Sequence, residues 1–255
     1  AKSGLSALVG IALAQGRIAS LEQPILALMP ELSGVNADPR AATVTVRHLL
    51  TMTSGLDTAA RVGGGGDLAR AAMARPFSAT PGEAFAYDNL GYLLLSRVVQ
   101  AAVGQPLPAW ADSELLQPLG VARVQWPGEQ AGPVTLGMRT RDMATLGQLF
   151  LQEGRWGERQ LIPADYVRAA TQRQNAGGPP VGMDYGYMWW VVPGQGPATA
   201  RRTFMASGYG GQLIWVYPPQ ELVVAITSDT SAASQARGQA VQLVRGPVFA
   251  AAQAP

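Results

Sequence analysis

Residues 185–192 read YGYMWWVV, and with them the character of the chain changes. Three similar runs follow: TFMAS (203–207), QLIWVY (212–217) and LVVAITS (222–228). Short runs rich in β-branched and aromatic residues, punctuated by Gly and Pro, read as strands. Pro218-Pro219 between the last two predicts a tight turn, and so antiparallel neighbours. Everything upstream has helical spacing instead. GLSALVGIALAQG (4–16) sets Leu5, Leu8, Val9, Ala12 and Leu13 at helical intervals, with Gly16 as a stop. LEQPILALMPEL (21–32) is a short, proline-punctuated apolar segment. In VTVRHLLTMTSG (44–55) Thr45 can cap a helix carrying His48. NLGYLLLSRVVQAAV (89–103) ends at Gly104. RTRDMATLGQLFLQEG (139–154) has Thr140 as cap and Gly154 as stop, and IPADYVRAAT (162–171) follows. Residues 232–245 close the chain as a helix. Helices first, then a sheet, then a helix argue an α+β fold. The expected division is a mainly helical domain over residues 1–184, with strands and a closing helix over 185–255.

The 255 residues, 47% apolar and 14% charged, are enough for a large core. Net charge is +2 and the longest basic run is Arg201-Arg202, so no nucleic-acid face is expected. There is no cysteine, which excludes disulfides, thiolate metal sites and a cysteine nucleophile and leaves the compartment unassigned. No apolar run reaches the ~18 residues that suggest a membrane span. A single histidine, His48, rules out a two-histidine zinc motif, and no G-x-S-x-G elbow is present. His48 reads as a helix histidine bonded to a nearby carbonyl. The glycine run Gly63 to Gly66 is followed by Asp67-Leu68, not by the Gly-Lys-Ser/Thr of a phosphate loop. Neither metal nor cofactor is expected.

Three places can hold chemistry. Lys2 is the only lysine, and every other basic side chain is arginine. Arginine cannot give up its proton, whereas a desolvated lysine can act as a base. A serine three residues before Lys2 would share its helix face, at the positive end of the helix dipole. That position precedes residue 1, and the abrupt helical start carries the expectation that sequence continues upstream. The bland alternative is a solvated terminal lysine. Second, Tyr87-Asp88-Asn89 enters the helix at 89, where a phenol beside an ammonium would have a lowered pKa and could shuttle a proton. The bland alternative makes Asn89 a cap and Tyr87 core. Third, FMASGYGGQLIWVY (204–217) packs glycines at a strand edge, which permits close backbone approach to a ligand or marks a hairpin turn.

In this order, a lysine at a helix start, VTVRHLLTMTSGLD, PGEAFAYDNLGYLLLSRVV, GMRTRDMATLGQLFLQEGRW, YGYMWWV and SGYGGQLIWVYP, the chain resembles the β-lactamase-related serine hydrolases. These comprise class C β-lactamases, DD-peptidases, related esterases and 6-aminohexanoate-dimer hydrolases. The resemblance runs from residue 1 to about residue 245. It implies a β-lactamase/transpeptidase-like fold whose first strands are missing from this chain. It implies that Lys2 matches the lysine of Ser-x-x-Lys, Tyr87 the tyrosine base and Asn89 the amide of that motif. Ala206-Ser207-Gly208 then occupies the place of Lys-Thr-Gly, with the Tyr209 backbone N–H as oxyanion donor. Ser207, Gly208, Gly210, Trp189 and Trp190 are the implied substrate contacts. Tyr185, Tyr187, Trp189 and Trp190 would line the strand side of the cleft, with alternate positions going to the core. Met52 stands where relatives often carry a second histidine.

The expected reaction is acyl transfer from a small amide or ester, through an acyl-enzyme formed on the upstream serine. It requires Lys2 to fall from about 10.4 to near 7, roughly 3 units or about 4–5 kcal/mol. The missing lysine of the third motif points toward esters and oligoamides and away from β-lactams. The alternative is a non-catalytic relative that binds peptidoglycan fragments or a protein partner. The residue two positions before Ala1 separates the two, serine for the enzyme and Gly or Ala for the binder. Natural substrate and oligomeric state are left open.

Overall fold

The computed structural model describes residues 1–62, 66–121, 124, 136–194, 201–229 and 238–253. Its helices are α1 (Lys2–Ala14), α2 (Ile25–Leu28), α3 (Val46–Leu50), α4 (Leu68–Met73), α5 (Asn89–Val103), α6 (Leu107–Ala111), α7 (Thr140–Leu151), α8 (Ala164–Ala170), α9 (Gln239–Leu243) and α10 (Phe249–Gln253). A two-stranded hairpin, β1 (Arg155–Trp156) and β2 (Arg159–Gln160), follows α7. Six strands then form one sheet in sequence order: β3 (Asn175–Gly178), β4 (Met183–Tyr185), β5 (Trp190–Val191), β6 (Phe204–Gly208), β7 (Gln212–Tyr217) and β8 (Leu222–Ile226). Every neighbouring pair is antiparallel, including β7 and β8 on either side of the Pro218–Gln220 turn. Among the described residues no helix is long and apolar enough to cross a membrane.

α1 is buried on nearly all sides, from Ser3 to Ala12, which makes it the axis of the helical part. It packs on α5 and on α8. A Cβ on Gly10 would lie 2.5 Å from Ile162 and 2.8 Å from Tyr166, so only glycine admits α8 this close. The Tyr166 hydroxyl donates to the Ser6 carbonyl at 2.8 Å and lies 3.1 Å from its hydroxyl. The sheet is covered on both faces at β7. Ile214 and Val216 approach Gly147 of α7, while Trp215 meets Phe249 of α10 edge-on and Tyr217 meets it tilted, as the two-residue alternation of a strand requires.

Several local expectations need correction. YGYMWWVV is not one strand: Tyr185 of β4 pairs with Trp190 of β5, and residues 186–189 form the connecting turn, with Met188 at φ 59°. Tyr185, Tyr187, Trp189 and Trp190 are therefore all buried rather than alternating. Arg139, not Thr140, is the N-cap of α7, and the Thr140 hydroxyl instead meets that of Thr227 at 2.8 Å. Asp88, not Asn89, caps α5. Thr45 does cap α3, and His48 returns the bond: its Nδ1 accepts the Thr45 N–H at 3.2 Å, while a backbone hydrogen bond at Thr43 supplies the carbonyl contact expected of it. Of the closing helix, α9 and α10 are joined by a wider turn over Val244–Val248, and residues 232–237 lie outside the described residues, as do Gly63 to Gly65.

Gly10→Ala should lower the unfolding free energy by about 1–3 kcal/mol through overpacking against α8, read by urea denaturation; an unchanged midpoint would refute the close α1–α8 contact.

Candidate active site

The turn at Met188 joins the helical part to the sheet. Its N–H donates to the Leu50 carbonyl at 3.0 Å, and its own carbonyl accepts the Ser3 hydroxyl at 2.8 Å. The first turn of α1 is thereby pinned to the start of β5. The loop carrying Tyr87 is held from the opposite side by Met52, whose backbone is left-handed at φ 58°. The Met52 carbonyl accepts the Ala86 N–H at 2.9 Å, and its sulfur lies 3.3 Å from the Asp88 N–H. Asp88 Oδ1 accepts the Leu90 N–H at 3.0 Å and so starts α5 at Asn89. Its carboxylate is also gripped by the Arg75 guanidinium at 2.6 and 3.1 Å, with both side chains almost fully buried.

These anchors bring Lys2, Tyr87 and Asn89 together. Lys2 Nζ donates to Asn89 Oδ1 at 2.7 Å. The ammonium lies 4.7 Å from the centre of the Tyr87 ring and 5.1 Å from that of Tyr92, so it meets Tyr87 through the ring face rather than the hydroxyl. Tyr87 stacks on Trp190, ring centres 5.9 Å apart and planes 17° from parallel. Trp190 in turn meets Tyr185 and Phe85 edge-on.

Burial pushes the Lys2 amine down from 10.5 to about 8, against the pull of the Asp88 charge. The two ring faces also favour the charged form, so desolvation is the larger effect. The fall is smaller than the sequence argument required. Tyr87 moves the opposite way to expectation: burial raises its phenol pKa, because desolvation disfavours the phenolate. Of the two groups the amine therefore loses its proton first.

Ser207, Gly208, Tyr209 and Gly210 sit at the β6–β7 hairpin, where Tyr209 is 71% exposed and Gly210 has φ 75°. Trp190 pairs with Met205, so Ser207, two residues further along β6, lies at the end of the sheet where Met188 holds Ser3. Beyond Met205 the edge of β6 that faces β5 has no ladder partner among the described residues. The hairpin end and the start of α1 thus occupy the same end of the sheet. Trp189 does not join this group: it is fully buried, packed against Phe150 and Phe204. Trp190 supports Tyr87 from below.

An open depression of about 460 Å³ adjoins Tyr87, lined by Phe85, Ala86, Tyr87, Pro179 and Pro180. Arg75, Asp88 and Phe85 were given no role in the sequence, and Met52 was noted only as standing in place of a second histidine. Only Asp88 carried a signal there, as an acidic residue immediately before an apolar helix. His48, its pKa lowered by burial and its Nδ1 engaged with Thr45, is a capping residue.

A family model described as Beta-lactamase matches residues 1–245. Esterase EstB of Burkholderia gladioli is 35% identical over 128 residues, which cover 42% of this chain and 32% of EstB. A candidate 6-aminohexanoate-dimer hydrolase of Bacillus anthracis superposes with a TM-score of 0.77 at 16% identity, over 98% of this chain and 70% of that one. EstCE1, described as a hydrolase with promiscuous acyltransferase activity, gives 0.72 at 16% identity, over 95% of this chain and 81% of its own. These superpositions establish a β-lactamase/transpeptidase-like fold. With the family model running from the first residue of α1 past the sheet into the closing helices, this chain belongs to the beta-lactamase family of serine hydrolases.

Proposed function

We propose that the chain carries the proton-transfer and oxyanion-binding parts of a hydrolase that cleaves small esters or amides through an acyl-enzyme. The observation that carries this reading is the Lys2 amine, bonded to Asn89, set over the Tyr87 ring and held at about 8. The nucleophile of this reading is a serine three residues before Lys2 in the full-length protein. As its oxygen attacks the carbonyl carbon, its proton passes to the neutral Lys2 amine, and the ammonium so formed returns it to the leaving group, through the Tyr87 phenol once bound substrate turns that hydroxyl from the ring-face geometry toward the amine. Asn89 fixes the amine. The serine N–H and the Tyr209 N–H hold the developing oxyanion. Water then repeats the sequence to free the enzyme.

With Ala206-Ser207-Gly208 read as the third motif, Ala206 takes the place of its lysine, which removes a cation for a substrate carboxylate. The depression beside Tyr87 has apolar walls apart from the phenol, which suits an uncharged acyl or alcohol group. The description of EstB as an esterase agrees with an ester substrate.

The full-length protein is expected to hydrolyse p-nitrophenyl acetate and leave nitrocefin essentially untouched; the reverse pattern would overturn the ester assignment. Its kcat/KM should rise with pH through an inflection near 8 as Lys2 becomes neutral. Lys2→Arg should cut kcat by about 10²–10⁴-fold with the fold retained, and a variant of near wild-type rate would remove Lys2 as the base. Stability should also rise with pH. Because the folded-state pKa lies below the unfolded one, the unfolded chain binds more protons between about pH 8 and pH 10.5, and stability rises across that window. Below it the whole penalty is present, so Lys2→Met should stabilise the protein by about 2 kcal/mol at neutral pH, with a gain that fades above pH ~10. Chemical denaturation at two pH values reads the difference.

A further inference from the structure

Arg75 lies outside the group that meets substrate, yet it is one of the most deeply buried polar residues described, its side chain 1% exposed. Its Nε donates to the Ala72 carbonyl at 2.9 Å, and its two terminal nitrogens reach the two oxygens of Asp88. Asn36 fixes the backbone beneath it, donating to the carbonyls of Met73 and Arg75 at 2.9 and 2.7 Å. Packing around the pair is tight: a Cβ on Gly91 would lie 2.6 Å from Asp88 Oδ2. Buried pairs of this kind are weak contributors to net stability, because desolvation offsets their attraction. A role in holding geometry and charge accounts for this one better.

We propose that Arg75 is a positioning residue of the reaction: its fork on Asp88 fixes the Tyr87–Asn89 loop beneath Lys2, and its charge partly offsets the pull of that carboxylate on the Lys2 proton. The inference rests on the hydrolase reading above. The titratable and charged groups around Lys2 are the phenols of Tyr87 and Tyr92 and the carboxylate of Asp88 with its partner Arg75. On α8, Tyr166 faces Ser6, a turn further along α1, and burial keeps it neutral. Of these neighbours Asp88 is the carboxylate, and Arg75 is what offsets it.

The test uses the full-length protein with Arg75→Gln, Asp88→Asn and the double variant. Two readouts are taken: the pH profile of p-nitrophenyl acetate hydrolysis, and NMR titration of the ¹³C-labelled lysine signal that Lys2→Arg abolishes. Arg75→Gln leaves an uncancelled carboxylate and should move the Lys2 inflection up by about one unit. Asp88→Asn leaves an uncancelled guanidinium and should move it down by about as much. The double variant should return the inflection to the wild-type value while kcat stays about tenfold low and KM changes little, because the fork is gone. Single variants that titrate like the wild type would overturn the proposal, since a merely structural role predicts that result. If neither single variant folds, the double variant decides, and a wild-type kcat there refutes the positioning role. An inert wild-type protein would remove the hydrolase reading, whereas the lysine titration would still judge Arg75.

Discussion

The site depends on one buried ion pair. Arg75 and Asp88 are both withdrawn from water, and each charge is tolerated because the other is within 2.6 Å. Removing either partner strands the other, at a cost of about 3–5 kcal/mol. Asp88 is also the cap of α5 and the residue between Tyr87 and Asn89. A single carboxylate thus starts a helix, fixes the loop before it and sets the field in which a neighbouring amine titrates. The helix supplies the rest: once α5 begins at Asn89, the amide stands at the N-terminal end, 2.7 Å from Lys2.

The second constraint is the pinning of α1 to the sheet. Ser3 is one residue past Lys2, and its hydroxyl is held by the carbonyl of Met188. Met188 adopts a left-handed backbone at φ 59° and closes the β4–β5 turn, so a strand connection and a helix start share one anchor. From the other side, Trp190 of β5 stacks on Tyr87. The amine and the phenol come from segments 85 residues apart; one is anchored through Met188 in the β4–β5 turn, the other through Trp190 at the start of β5.

How much of this was legible in the sequence differs by level. The helices over 4–16 and 89–103 could be read because their apolar spacing and their terminal glycines agree, and Gly104 does sit at φ 71°. The helices-then-sheet order was likewise readable from the change at residue 185. YGYMWWVV was misread as one strand because its apolar character has no gap to mark the turn; the break comes from the backbone of Met188, for which methionine gives no signal. Lys2, Tyr87 and Asn89 could be singled out by type and placement. Arg75 could not, since its partner is 13 residues away across a loop and its segment, AMARPFS, has no pattern. The direction of the Tyr87 shift was also beyond the sequence. It depends on how much water the ring loses, and that follows from Trp190 and Lys2 packing on it.

With arginine at every other basic position, Lys2 holds the lone side-chain primary amine in 255 residues. Glycation by reducing sugars and carbamylation by cyanate require such an amine in its neutral form. Across this sequence that slow covalent ageing has one side-chain target, and it is the atom beneath which Tyr87, Tyr92 and Asn89 are arranged. The same packing that lowers the proton affinity of the amine also narrows the approach to it, so wear at this atom is governed by what the cleft admits rather than by exposure to solvent.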